Sequence, residues 1–418
     1  MQVFPSVIQG EINIPPSKSH SQRAILFASL AHGKSIIRHV LASPDIIAMI
    51  DACRAFGAQI QAFDSHLEII GVNGKPYFSK TNIDAGNSGQ VLRFIGAIAG
   101  LCNQKVFING DASIQQQRPV LPLISGLNQL GCVASNDGAP LVIQGPYQSD
   151  EASIDGNDSQ PVSGLLMARA FAPRPLKLRV EHPGEKPWVA LTLDWFHRLG
   201  IAYQQKDYQE YQLVGHAHIK GFEYDVPGDY SSAAFPLVAA LLTQGQLQLN
   251  HLDSDDVQGD KRLIQILQQM GAKIETIAHE KKLLVHPCDQ LQGMEIDMND
   301  IIDAIPILAV VGCFAKGRTI LKGAQIARFK ESDRIAVMCQ ELKKLGASIE
   351  ETEDGLIIEE SSLRSGEVFS HHDHRVAMAL AVAGFMIPGG VLIQETQCIE
   401  KSFPDFKQAM KNMGANIA

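Results

Sequence analysis

The sequence has no apolar run long enough to cross a membrane. Its longest, Ile305 to Ala315 and Val376 to Pro388, fall well short of the roughly 18 to 20 residues that a span needs, and both contain proline or glycine. The stretch Met1 to Glu11 lacks a basic region followed by an apolar core, so no secretory signal is read there and the mature protein is expected to begin at Met1. Paired cysteine motifs are missing too. The seven cysteines, at 53, 102, 132, 288, 313, 339 and 398, are odd in number, widely spaced and never in a CxxC pair. That pattern fits reduced thiols in the cytoplasm and gives no support to a structural zinc site. Finally, there is no basic excess. With 45 acidic against 36 basic residues the net charge is −9, which excludes nucleic acid or a membrane surface as the partner of the chain as a whole. Any anion must be bound by a local cluster.

What is present is a globular composition, 45% hydrophobic and 19% charged over 418 residues, enough for two to three domains with proper cores. A repeat organises it. An amphipathic stretch ending in a large apolar residue and glycine recurs at Phe56-Gly57, Leu130-Gly131, Leu199-Gly200, Met270-Gly271, Leu345-Gly346 and Met413-Gly414. Each phrase predicts a helix closed by a glycine, where the left-handed conformation is cheap. The first five are followed by alternating apolar and polar residues, as in Ala347 to Glu359, which predicts a hairpin turning at Asp354-Gly355.

A second phrase interleaves at the same period of about 70 residues. Small polar residues start alanine- and glycine-rich apolar helices at Ser17-Lys18-Ser19, Asn87-Ser88-Gly89, Asp158-Ser159-Gln160, Asp229 to Ser232, Asp300 to Asp303, and His372 to Arg375. Such residues are preferred helix caps, and helices apolar nearly all round belong in the middle of a domain. Six units of helix, strand, helix and hairpin account for the whole chain. Read blandly, the polar starts are caps and nothing more. The charges beside them say otherwise: Lys18, Arg23, Arg93, Arg118, Lys330, Arg334, Arg375 and Lys401 gather at helix starts in an acidic protein. Helix N-termini already carry partial positive charge, so cations collected there call for an anion, a phosphate or carboxylate.

These residues lie in motifs that resemble one family from end to end. They are Pro16-Ser17-Lys18-Ser19-His20-Ser21-Gln22-Arg23, Gly86-Asn87-Ser88-Gly89 with Arg93, Gln117-Arg118-Pro119, Asp303-Ala304-Ile305-Pro306, Arg328 to Arg334 (RFKESDR), Asp373-His374-Arg375 and Lys401-Ser402-Phe403-Pro404. The chain resembles the 5-enolpyruvylshikimate-3-phosphate synthases, within the enolpyruvyl transferases. The resemblance implies an α/β fold, a two-domain inside-out α/β barrel of six repeated units. Residues 15–227 would form one domain of three repeats and residues 1–14 with 228–418 the other, the first strand at about Val3 to Ile14 belonging to the latter. The active site would lie in the cleft between them.

It further implies transfer of the enolpyruvyl group of phosphoenolpyruvate to a ring hydroxyl of shikimate 3-phosphate, with release of phosphate. Carried over residue by residue, Lys18, Arg118, Arg334, Arg375 and Lys401 would clamp phosphoenolpyruvate, with Gly89 and Gln160 against it. Ser19 and Arg23 would hold the acceptor's carboxylate, and Ser159, Gln160, Asp303 and Lys330 would complete the acceptor site. Asp303 resembles the base, Glu331 the proton donor, and Lys18 and Lys330 the assisting lysines. Cap and salt-bridge readings of Asp303 and Glu331 stand beside these. The family implies no metal and no organic cofactor. His374 is read as orienting its neighbours, and the tract His371-His372-Asp373-His374 is not read as a metal site. A monomer acting on small molecules is expected.

Three departures fall together on the acceptor's phosphate. Asp158 and Glu185 stand where the family has phosphate-gripping serines, and Trp188 where it has tyrosine. Two carboxylates would repel a dianion unless Lys186, Arg174 or Arg179 compensates. Gln90 replaces a common threonine and would narrow the donor pocket, and Gln115 stands where an arginine is frequent. A paralogue using an acceptor without the phosphate is therefore one alternative, and a catalytically silent binding protein another. The related UDP-N-acetylglucosamine branch carries a reactive cysteine where this chain has Ser113.

Overall fold

A computed structural model describes residues 1–136 and 140–418. The chain divides into two compact units, Ser17–Val226 and Met1–Pro16 with Pro227–Ala418. Among the described residues, each unit holds three four-stranded sheets of one design. A lead strand lies parallel to a second, which pairs antiparallel with a third, which pairs antiparallel with a fourth. In one, Glu295–Asp297 is parallel to Arg318–Lys322, followed by Gly355–Glu359 and Ile349–Thr352. Parallel neighbours need a crossover, and the helix Ile305–Phe314 supplies it.

The chain enters and leaves each unit through these sheets. Gly10–Asn13 runs parallel to Leu247–Asn250, and Glu223–Asp225 parallel to Lys34–Arg38, so each unit borrows a lead strand from a distant segment. The expected single first strand is in fact two. Gln2–Phe4 pairs with Val391–Gln394 and Asn416–Ile417, while Gly10–Asn13 joins a different sheet. Pro5 and the positive φ of Gly10 break the run between them.

The glycine-closed helices are all present, and their six glycines have φ between +69° and +109°. The apolar helices fill the cores: every residue of Tyr230–Leu242 is buried, as is every residue of His374–Gly384. One turn falls elsewhere than expected. Thr352 pairs with Gly355, so Glu353-Asp354 form the turn and Gly355 lies in the strand. A Cβ there would meet the Leu321 carbonyl oxygen at 1.8 Å, so the glycine serves close approach of two backbones.

Candidate active site

Five of the six buried helices begin with a side-chain cap, at Ser17, Ser88, Asp158, Asp229 and Asp373. The sixth, Ile305–Phe314, has none. Asp303, one turn before it, sends its carboxylate elsewhere: Oδ1 accepts from Arg334 Nη1 at 2.6 Å and Oδ2 from Arg375 Nη2 at 2.9 Å. Its cap reading is thereby removed. Burial pushes this carboxyl upward, but Arg375, Arg334 and Lys330 outweigh it and hold the group well below the usual range.

Arg334 is the hub of this cluster. Its Nε donates to Asp373 at 2.8 Å, Nη1 to Asp303 and Nη2 to Glu331 at 2.8 Å, and the side chain is fully buried. Burial alone would favour a neutral guanidine, yet the three carboxylates raise its pKa above the ordinary value. The other oxygen of Glu331 accepts from Lys401 Nζ at 2.7 Å. Asp303, Glu331, Arg334, Arg375 and Lys401 thus form one network, brought together from four segments. Arg334 meets protein carboxylates through every nitrogen, which suits it to holding Asp303 and Glu331 in place. His371 and His372 turn away to separate acids, Glu341 at 2.8 Å and Glu395 at 3.5 Å, and His374 lies 3.8 Å from Asp373. Among the described residues, no group of three or more His, Cys, Asp or Glu could hold a metal ion.

In the other unit, Gly89 opens the helix Gly89–Ala99 with two guanidinium groups against it. A Cβ at Gly89 would lie 2.9 Å from Nη1 of both Arg118 and Arg93 and 3.0 Å from Gln160 Oε1. Only glycine lets these three side chains meet there. Lys18 Nζ sits 3.3 Å from buried Asp45, whose carbonyl also accepts from Gln22. Gln90 donates to Ser19 Oγ at 3.2 Å.

Arg23 is fully buried and meets neutral acceptors, Thr192 Oγ1 at 3.0 Å and the carbonyls of Ser19 and Trp188 at 3.2 Å. Burial pulls its pKa down to about 9. A buried cation with neutral partners is suited to an incoming carboxylate.

The two departed acids are both engaged. Asp158 caps its helix through the N–H of Gln160 and lies 3.1 Å from Arg93, so neutralisation comes from Arg93 and not from the three cations expected. Arg174 pairs instead with Asp150 at 2.7 Å, and Lys186 and Arg179 are exposed. Glu185, buried and left-handed at φ +47°, accepts from both the N–H and the hydroxyl of Ser159, at 3.1 and 3.2 Å. Trp188 contributes its carbonyl to Arg23.

Sequence reading gave Asp45 and Asp373 no role and did not pair Arg93 with Asp158. Asp373 sits inside a quoted motif, and its carboxylate explains why that motif begins with Asp. Asp45 carries no local signal and is found only through the fold.

Six matched repeats and a cation-rich cluster in each unit place the chain among α/β enzymes. The sequence model of EPSP synthase (3-phosphoshikimate 1-carboxyvinyltransferase) matches residues 4–410, and the chain belongs to that family of transferases. A 3-phosphoshikimate 1-carboxyvinyltransferase of Chlamydia muridarum is 45% identical over 99% of this chain and 95% of its own length. One of Chlamydia abortus is 42% identical over 100% and 94%. Among solved structures, an EPSP synthase from Acinetobacter baumannii superposes with a TM-score of 0.82 at 27% identity, covering 100% of this chain and 99% of that one. The fold is the two-domain inside-out α/β fold.

Proposed function

We propose that this protein transfers the enolpyruvyl group of phosphoenolpyruvate to the ring hydroxyl of shikimate 3-phosphate and releases phosphate, a step of aromatic amino-acid biosynthesis, as a cytoplasmic monomer without metal or cofactor. The observation that carries the reading is Asp303: a carboxylate that caps no helix, held ionised by Arg334 and Arg375 beside Glu331. An ionised carboxylate is what removal of the acceptor's hydroxyl proton requires. Glu331, between Lys401 and Arg334, delivers the proton to C3 of the donor once it has taken one up, and Lys18 and Lys330 assist.

The donor's carboxylate and phosphate engage Lys18, Arg118, Arg375 and Lys401, with Gly89 and Gln160 giving close backbone and amide contact. Arg334 positions the two acids. On the acceptor side Arg23 and Ser19 take the carboxylate, and Ser159, Gln160 and Lys330 complete the grip.

A second reading is favoured by one contact. Glu185 already occupies the N–H and hydroxyl of Ser159, so an acceptor lacking the phosphate meets no competition there. The deciding experiment incubates the protein with phosphoenolpyruvate and either shikimate 3-phosphate or shikimate, following phosphate release and the enolpyruvyl ether. Efficient turnover of the phosphorylated acceptor establishes the first reading; turnover of shikimate alone establishes the second; no phosphate release with either acceptor refutes both.

A further inference from the structure

Asp260 belongs to no motif and to none of the roles above, yet it is one of the most deeply buried carboxyls in the chain, at 2% exposure. It lies on the short turn Gly259–Lys261, which Gln258 fastens to the start of the helix Tyr230–Leu242 by accepting from Tyr230 N at 3.1 Å and donating to Gly228 O at 2.9 Å. One oxygen of Asp260 is hydrogen-bonded to the hydroxyl of Ser231. The other, Oδ1, is buried with no hydrogen-bond partner among the described residues. The adjacent cations are spent elsewhere. Lys261 donates to the carbonyls of Ser254 and Asp256, both at 2.6 Å, and Arg262 lies 3.4 Å from Asp300.

The groups facing Asp260 are Ser231 and Asp229 from the helix start, Asp303, and Arg375 from the helix His374–Gly384. Asp229 is engaged in capping, through the N–H groups of Ser231 and Ser232. Arg375 gives Nη2 to Asp303, while its Nε, also buried, has no hydrogen-bond partner among the described residues.

Two carboxyls in one buried site do not both ionise cheaply, and the one with cationic donors keeps the charge. Asp303 has two arginines. Asp260 accepts from one hydroxyl on one oxygen and has no donor on the other among the described residues, which would leave an ionised group half-satisfied and favours the neutral acid. We propose that Asp260 is a positioning residue for the Asp303 and Arg375 pair, holding as a neutral acid the proton that the two buried carboxyls cannot both give up, and so keeping Arg375 directed at Asp303 and the bound donor.

The electrostatics agree. Burial and the charge of Asp303 raise Asp260 to about 7, against the pull of Arg375 and Ser231 and with a further push from Asp229. Above neutrality Asp260 ionises, and the partnerless Nε of Arg375 then has a second carboxylate to answer. Donor binding weakens as a result, a consequence that rests on the transferase reading; the protonation state itself does not.

The test therefore has two parts. Carboxyl carbons of the ligand-free protein, carbon-13 labelled at aspartate, are titrated by NMR in the native chain, Asp260→Asn and Asp303→Asn. One resonance titrating near neutrality, absent in Asp260→Asn and moved at least tenfold in proton affinity toward the ordinary range in Asp303→Asn, is expected. Every aspartate titrating below pH 5 in the native chain overturns the proposal, as does a neutral titration unmoved in Asp303→Asn. The Asp303→Asn comparison decides alone should Asp260→Asn not fold. The second part measures KM for phosphoenolpyruvate from pH 6 to 8.5. A several-fold rise in the native enzyme and a flat line in Asp260→Asn are expected; parallel profiles would refute the link to Arg375 while leaving the transferase reading intact.

Discussion

Glu185 places one carboxylate oxygen on both the backbone N–H and the hydroxyl of Ser159, so an acid from the start of one helix fills the donor end of another. Those are the groups a helix N-terminus offers an anion. An acceptor phosphate bound at Ser159 has to displace Glu185, and the two compete. Asp158, only one residue away from Ser159, is not in the same position, because Arg93 neutralises it and the Gln160 N–H binds it.

Glu185→Ser is therefore expected to lower KM for shikimate 3-phosphate about tenfold, near 1.4 kcal/mol, while KM for the donor stays put. Asp158→Ser should behave in the opposite way. It strands the buried guanidinium of Arg93, and losing one partner of a buried pair costs about 3–5 kcal/mol of stability. Steady-state kinetics with thermal unfolding of each single variant separates the two. An acceptor KM unmoved by Glu185→Ser removes the competition argument.

The repeat was readable in the sequence because its marks are local. A helix that ends by reversing its chain direction needs a residue tolerant of positive φ, and Gly57, Gly131, Gly200, Gly271, Gly346 and Gly414 supply it. What local pattern cannot separate is one purpose of a residue from another. Gly355 reads as a turn residue but is required by the nearness of Leu321; Asp303 reads as a cap but serves two arginines. Pairings such as Asp158 with Arg93 or Lys18 with Asp45 join segments 65 and 27 residues apart, and only the packed helices bring them together.

Asp303→Asn and Glu331→Gln are each expected to lower turnover on the order of a hundredfold or more, the scale of a lost general acid or base. Glu331→Gln also removes the carboxylate charge between Lys401 and Arg334, so its donor KM shifts as well as its kcat. Turnover near native in either variant, with far-ultraviolet circular dichroism unchanged, strikes out that residue's role.

Gly89→Ala inserts a methyl 2.9 Å from Nη1 of both Arg118 and Arg93. Two guanidinium groups must move, and if Arg118 grips the donor, KM for phosphoenolpyruvate rises while KM for the acceptor changes less. Arg118→Ala should weaken donor binding by about 1 to 3 kcal/mol, the cost of a lost charged hydrogen bond. Isothermal titration with phosphoenolpyruvate checks both, and equal affinity in Arg118→Ala and the native chain rules out the clamp assignment.

Glu341 anchors the loop that leads to Asp373 and the helix bearing Arg375. Its buried carboxylate accepts from Lys344 at 2.7 and 2.8 Å, from the Phe369 N–H at 3.0 Å and meets His371 Nε2 at 2.8 Å. Burial would raise its pKa, but His371, Lys344 and the Phe369 N–H together bring it below the ordinary glutamate value. A carboxyl depressed in the folded state binds fewer protons there than in the unfolded chain, so its contribution to stability is complete above the unfolded value of about 4.3 and drains away as pH falls through the folded value. Glu341→Gln keeps the shape and removes the charge. At pH 7 it should cost about 1–3 kcal/mol, the scale for weakening the charged hydrogen bonds of one buried group. Once pH has fallen through the folded value the native chain has lost the same contribution, so the two unfolding curves should converge. Because the loop also sets Arg375, donor KM at pH 7 is expected to rise with the loss of stability. Denaturant melts at pH 7 and at a series of falling acid pH values measure the convergence, and a gap between native and variant that stays constant with pH would show that Glu341 holds the loop by shape and not by charge.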